Sequence, residues 1–402
     1  MQDHEEHDSD LDNLTLCSSL VSAALVASLI VAQRGWVFEQ RTYPRLPLND
    51  NLSIANPSEP LLYGLMVTAL IVFNFHARKK LLSFIFAATA LMTIVLDQTR
   101  LQPWLYLFSV MLFLIASLPS QNAGASAEAP SIERGESSVS SILNALRICI
   151  IGTYLFAGLQ KLNISFCQTV VPTMMSKIIP DMPFQLGLAI GLPVAVAEAL
   201  LALLLVFART RKVGAYLAIS FHAVTLWLIL QQGWNAVVWP WNFSMMLLVY
   251  LLFLRSKPSA VISLFKPDSW QKTVAILLFL LLPVLNFFGR WDNYLSSALY
   301  SGNTPVLRIA VDPKDEEALP SSIRQGIDIT NKEGSTLIAE RWAIEELGIP
   351  PYPEVRYLER LAEKIIQSGR FSRSRIYIET FPRFFKGEIH RQTLYLSATE
   401  SQ

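Results

Sequence analysis

Lys161 closes an apolar run, Phe156-Ala157-Gly158-Leu159-Gln160-Lys161-Leu162, at the end of a segment long enough to cross a membrane. A primary amine at such a boundary either anchors its helix among the headgroups or acts as a base. Anchoring is the ordinary role. Base chemistry needs an amine that is at least partly neutral, through burial or a cationic neighbour acting on a pKa of about 10.4. Helical spacing puts Tyr154, and Ala157 or Gly158, on the face of Lys161, where small residues would leave room for a flat ring.

Other polar side chains reach comparable depths. Glu198 stands midway along one apolar segment, five residues after Pro193, and His222 midway along the next. An ionisable group inside a span costs on the order of 2–3 kcal/mol, so both should face the protein interior, as interhelical glue or as a proton-handling site. In Val237-Val238-Trp239-Pro240-Trp241-Asn242, the tryptophans fit a membrane–water interface and proline is harmless in a first helical turn. The Asn242 amide, one turn in, needs partners. Asp97-Gln98-Thr99-Arg100 makes a tight turn, across which Asp97 and Arg100 are expected to pair. Lys161, Trp241, Asn242 and the 97–100 turn share one end of the bundle, with His222 and Glu198 below them. A pocket open to the outer leaflet follows.

The elements that must hold these residues are legible from composition. The chain has 402 residues, 52% hydrophobic and 16% charged, and a mean hydropathy of +0.37. Apolar runs of spanning length recur through the first 290 residues, the mark of a polytopic membrane protein. A net charge of +1 gives no reason to expect a nucleic-acid partner. Cys17, Cys149 and Cys167 form no CxxC pair and no His/Cys cluster with metal spacing, so no metal is expected. The head of the chain carries six acidic residues before residue 13 and no Lys or Arg, the reverse of a secretory signal.

Nine spans are expected, at 14–33, 61–76, 81–97, 103–119, 141–161, 185–207, 213–232, 237–254 and 273–289. Residues 120–140, rich in Ser, Ala, Gly and Glu, read as a flexible loop, and 167–184 as a structured re-entrant or surface segment. Threaded so, one face collects eleven basic residues: Arg78, Lys79, Lys80, Arg134, Arg209, Arg211, Lys212, Arg255, Lys257, Lys266 and Lys272. The other face collects six: Arg34, Arg41, Arg45, Arg100, Lys161 and Lys177. The positive-inside rule then makes 1–13 an acidic cytoplasmic tail, 14–290 the transmembrane domain of an inner-membrane protein, and 291–402 an extracytoplasmic domain. That last part has charge throughout, β-like runs at 306–311 and 375–378, and helical stretches at 336–347 and 353–367, the second with Leu358, Leu361 and Ile365 on one face. The fold class expected is an all-α membrane bundle of about nine helices with a small C-terminal α+β domain that has its own core.

Five segments carry a resemblance: LDQTRLQPWLY (96–106), YLFAGLQKLN (154–163), AEALLA (197–202), FHAVTLW (221–227) and VVWPWN (237–242). Together they resemble the membrane domain of the vitamin K-dependent γ-carboxylase superfamily, also called the horizontally transferred transmembrane domain family. In that family's carboxylase the lysine of an AG-x-x-KL motif deprotonates vitamin K hydroquinone, which oxygen converts to an epoxide through a strongly basic alkoxide. The alkoxide removes a γ-proton from a protein glutamate before CO2 adds. The motif match implies Lys161 as base and His222 as a second catalytic residue, with Asp97, Arg100, Tyr154, Gly158, Glu198, Trp241 and Asn242 lining the pocket. Two departures weigh against protein carboxylation. Pro103-Trp104 stands where the carboxylase has a histidine, and a tail of about 110 residues is too small for its substrate-binding lumenal region. The resemblance implies instead a quinol-like lipid as substrate or cofactor, in a quinol-dependent oxygenase or carboxylase-like lyase. A rival is similarity to DoxX- and MauE-like proteins, which assist redox maturation of exported proteins but would call for paired thiols. A third reading is a non-catalytic bundle whose outer domain binds a partner.

Overall fold

A computed structural model describes the chain except residues 1, 38–39, 51–57, 76–78, 120–130, 234, 329–334, 384, 386–387 and 396–402, and the side chains of 2–8 and 131–137. Apolar helices dominate: α1 (Gln2–Val31), α2 (Ser58–Phe73), α3 (Lys79–Leu96), α4 (Pro103–Ala116), α5 (Ser131–Gln160), α6 (Phe184–Val206), α7 (Arg211–Gln232), α8 (Val238–Arg255) and α9 (Trp270–Phe288). Seven are long and apolar enough to cross a membrane. The expected nine therefore include two that fall short: α2 has 16 residues and α4 has 14, against roughly 20 for a bilayer core. Pro103 at the first helical position and Ser117-Leu118-Pro119 just beyond the last bracket α4 and fix its length.

The expected loop at 120–140 is partly helical, because α5 begins at Ser131; residues 120–130 lie outside the described part, as does Arg78. Gly233, with φ +69°, ends α7 in a left-handed turn and donates its N–H to Ile229 and Leu230. In α9, Pro283 lacks the N–H that an α-helix needs, and the backbone passes from α through a π turn into a 3₁₀ stretch over Leu282–Phe288. The segment after α5 is structured, as a π turn (Phe166–Val170) and a short helix (Val171–Met175).

One helix is central. The membrane-length part of α5 is 89% buried, whereas that of α7 is 28% buried. Leu61, Phe84, Leu91, Phe113, Leu203, Tyr216 and Trp227 are exposed on the bundle's outside, in a pattern that suits lipid as solvent. The chain is built as an integral membrane protein.

Residues 306–395 supply a five-stranded antiparallel sheet of β1 (Val306–Ala310), β2 (Ile327–Asp328), β3 (Thr336–Ile338), β4 (Arg375–Thr380) and β5 (His390–Tyr395), in the order β2-β3-β1-β4-β5. Helices α10 (Ala339–Leu347) and α11 (Val355–Gln367) pack on it, and Leu358, Leu361 and Ile365 are buried together as the spacing requires. Residues 336–338 belong to a strand and not to α10, because Thr336 and Leu337 pair with Ala310 and Ile309. The sheet unit does not keep a core to itself. One apolar cluster runs from Leu14 and Leu25 through Trp36 and Tyr43 to Trp342, Ile349 and Ile378. Tyr43 meets Trp342 edge-on at 5.1 Å between centroids, and Tyr294 donates to the Pro351 carbonyl at 3.2 Å. The helices alternate between this domain-bearing end, where 40–46, 97–102, 163–166 and 235 meet the C-terminal part, and an opposite end. There Arg211 donates to the Ser256 carbonyl at 2.6 Å and Gln271 to Ser117 at 3.1 Å.

Candidate functional site

The central helix positions the first group. Lys161 Nζ lies 2.8 Å from a carboxylate oxygen of Glu198, with both side chains almost wholly buried. The amine also donates to the Ala157 carbonyl at 3.3 Å. Glu198 reaches this point from α6 because α5 and α6 lie in near-backbone contact at Gly158. A Cβ on Gly158 would stand 2.3 Å from the Ala199 nitrogen and 2.7 Å from the Ala195 carbonyl oxygen. That corrects the expected use of Gly158: its lost side chain admits helix α6, not a ring. Gly158→Ala should therefore cost at least the 1–3 kcal/mol typical of overpacking, read as a lower unfolding temperature in detergent. Gly64→Ala, where nothing lies within 4 Å of the added carbon, should be near neutral.

His222 from α7 and Asn242 from α8 complete the group. Asn242 Nδ2 donates to the Val238 carbonyl at 2.9 Å, which assigns its Oδ1 as the acceptor facing His222 Nδ1 at 2.8 Å. In the neutral ring His222 therefore carries its proton on Nδ1, and Nε2 presents a lone pair. That Nε2 is buried without a protein partner, and so is the hydroxyl of Tyr154, whose ring lies 5.6 Å from the imidazole. Buried polar atoms are normally satisfied, so two unpartnered atoms on neighbouring rings set this group apart from ordinary interhelical packing. Trp241 is not an interfacial anchor. It is buried against Phe108, ring centroids 5.4 Å apart, as a wall of the bundle interior.

Asp97 and Arg100 belong to a separate network, and they do not pair with each other. Asp97 binds Arg41 at 2.6 Å and accepts from the Thr99 hydroxyl at 2.8 Å. Arg100 pairs with Glu59 and donates to the carbonyls of Gly35 (3.0 Å), Thr93 (3.1 Å) and Trp36 (3.2 Å). Arg41 from the stretch 40–46 and Glu59 from the first turn of α2 outcompete the local pairing, leaving both residues as clamps between helix ends. Thr99 meets Tyr357 at 2.8 Å and Gln102 donates to the Pro350 carbonyl at 2.9 Å, so the turn also docks the C-terminal part.

Sequence reasoning gave no role to four polar residues that fix α5. Arg147 lies inside α5 and is buried, donating to the carbonyls of Leu252 (3.0 Å) and Lys257 (2.9 Å) and to Ser259 (2.8 Å). Its position within an expected span was the available signal. Gln160 and Asn286 lock the far end of α5, Gln160 Nε2 donating to Asn286 Oδ1 at 2.8 Å, and Asn163 extends the lock to the Ser301 carbonyl at 2.8 Å. A cavity lies between the bundle end and the C-terminal part, and none of the nine expected site residues lines it. Among the described residues no group of His, Cys, Asp and Glu could hold a metal, and the three cysteines are free and buried. No family model, no curated protein and no solved structure matches the chain.

Proposed function

We propose that the chain is an inner-membrane protein that binds a quinol-like lipid in its helical bundle and deprotonates it with Lys161. The observation that carries this reading is the convergence of Lys161, Glu198, Tyr154, His222 and Asn242 from four helices, with Tyr154 Oη and His222 Nε2 left without protein partners beside the ion pair. A quinol hydroxyl is both donor and acceptor and suits that pair of atoms. In the proposed step the pair first releases the Lys161 proton to water. The neutral amine then takes the quinol hydroxyl proton, and the products are the quinolate and the ammonium–carboxylate pair seen in the structure. Glu198 then stabilises the ammonium, the role of an orienting third group. His222, held in one tautomer by Asn242, accepts a hydrogen bond at Nε2. The resemblance to the γ-carboxylase superfamily supports the same assignment of Lys161. Purification from native membranes with mass spectrometry of retained lipids tests it. A quinone or quinol should be enriched in the wild type and lost in His222→Leu that folds normally, and equal retention by both would remove His222 from the site.

The same reading crosses the membrane nine times, with α2 and α4 as short crossings, residues 1–13 in the cytoplasm and 291–402 outside. The alternation of helix ends and the excess of basic residues at the end opposite the C-terminal part support it. Reporter fusions after residues 80 and 212 should report cytoplasm, and a fusion at 402 the exterior. An exterior signal at 212 would overturn the threading.

A further inference from the structure

A cavity of about 270 Å³ separates the helix ends from the C-terminal part, and its wall has the chemistry of a receptor. Four aromatic side chains face it, Trp104, Tyr294, Tyr300 and Phe381, together with Asn235 and Glu340. Glu340 opens the first turn of α10 and lines this partly open cavity, with part of its surface exposed to solvent. The protein around the cavity partly desolvates its carboxyl and raises it above the usual range, with Arg341 and then Arg308 opposing. Neither arginine is free to neutralise it. Arg308, also on the wall, pairs with Glu379, and Arg341 pairs with Asp328 at 3.2 Å. Among the described residues Glu340 has no ion-pair partner.

Two further atoms lack protein partners. Trp104 Nε1 is a donor and Asn235 Oδ1 an acceptor, and both residues are more than nine-tenths buried. The other half of the Asn235 amide is committed, Nδ2 donating to the Tyr300 hydroxyl. Asn235 and Tyr300 both hold φ near +50° (52° and 49°), a conformation residues with side chains seldom adopt. The cavity wall thus combines one unmatched carboxylate, aromatic faces, one spare acceptor and one spare donor.

We infer that this cavity binds an amino-alcohol ammonium group, the cation against Glu340 and the aromatic rings and its oxygen against Trp104. Aromatic faces attract cations, and Asn235 Oδ1 can accept an ammonium N–H. Trp104 Nε1, which can only donate, requires an oxygen on the same ligand. An anion would meet the unmatched carboxylate. The volume sits at the lower limit of ordinary ligand sites, roughly 300 Å³, which suits a headgroup-sized molecule. Trp104 and Val238 bring the ends of α4 and α8 to the wall, so the ligand can come free or as the headgroup of a lipid. This site is separate from the Lys161 group and does not depend on its function.

The test uses the full chain in phosphatidylglycerol nanodiscs, titrated calorimetrically with ethanolamine and, as the uncharged counterpart, ethylene glycol. Native mass spectrometry then compares lipids retained from mixed phosphatidylethanolamine and phosphatidylglycerol membranes. Saturable binding of the amine, free or lipid-borne, with none of the diol, is the expected result. Binding of free ethanolamine identifies a soluble ligand, and retention of the amine lipid alone identifies a headgroup. Glu340→Gln should weaken that binding by about ten-fold or more, as loss of a charge-assisted contact does, with an unchanged unfolding temperature. Equal binding of the diol, preference for the anionic lipid, no binding in either arm, or full affinity in Glu340→Gln would each overturn the assignment. Should that variant not fold, the comparison of amine with diol on the wild type decides.

Discussion

Arg100→Met is expected to cost about 3–5 kcal/mol of stability, the loss typical when one partner of a buried ion pair is removed. Four acceptors depend on that guanidinium: the carbonyls of Gly35, Thr93 and Trp36 and the carboxylate of Glu59. Methionine fills much of the same volume, so packing is kept and the polar loss is isolated. Arg45, 3.7 Å from the second oxygen of Glu59 and partly exposed, recovers only part of the charge balance. The double variant Arg100→Met, Glu59→Gln should regain some of the loss, since it removes the stranded charge as well. Thermal unfolding in detergent reads both. If the single variant unfolds within a degree or two of the wild type, Arg100 is not the clamp described. The network also distinguishes this residue from a pocket residue: its hydrogen bonds end on backbone carbonyls of two helix ends and leave nothing to offer a ligand.

The contrast between Arg100 and Lys161 shows what a sequence of this kind can and cannot disclose. Apolar runs disclosed the helices α1 to α9, because hydropathy acts through composition and needs no knowledge of neighbours. Burial of Leu358, Leu361 and Ile365 followed from helical spacing alone. Depth was legible too: Glu198 and His222 were expected inside, and both are buried there. Pairing was not. Asp97 and Arg100 stand three residues apart and looked like partners, yet Arg41 and Glu59, 56 and 41 residues away, take them. Arginine and aspartate choose partners by rotation of helices about their axes and by the path of the 40–46 stretch, and neither leaves a local trace. Gly158 was legible as a small residue on the right face, but whether the gap admits a ligand or a helix depends on what stands opposite, here Ala195 and Ala199. The edge strand β5 was missed for a related reason. Its residues, His390-Arg391-Gln392-Thr393-Leu394-Tyr395, are mostly polar and exposed or half-buried, so no alternation of apolar residues announces it.

The Lys161–Glu198 pair sharpens the test of the proposed chemistry, because it gives the structural role of Lys161 a definite signature. Held 2.8 Å from a buried carboxylate, Lys161 balances a charge, and arginine can balance it too. Lys161→Arg should therefore fold and unfold at a temperature close to that of the wild type. Lys161→Ala strands the Glu198 carboxylate and should cost about 3–5 kcal/mol, part of which Lys161→Ala, Glu198→Ala would restore. Catalysis should follow a different order. Arginine stays protonated at every accessible pH and cannot take a proton from a quinol hydroxyl. Stability should then rank Lys161→Arg near the wild type and Lys161→Ala far below, whereas quinol turnover should vanish in both. Binding gives a third reading, since Tyr154 Oη and His222 Nε2 remain in Lys161→Arg and should still hold the quinol. A variant that folds, binds and does not turn over is the expected phenotype of a lost base. Turnover by Lys161→Arg at the wild-type rate would leave Lys161 a charge-balancing residue and end the enzymatic reading.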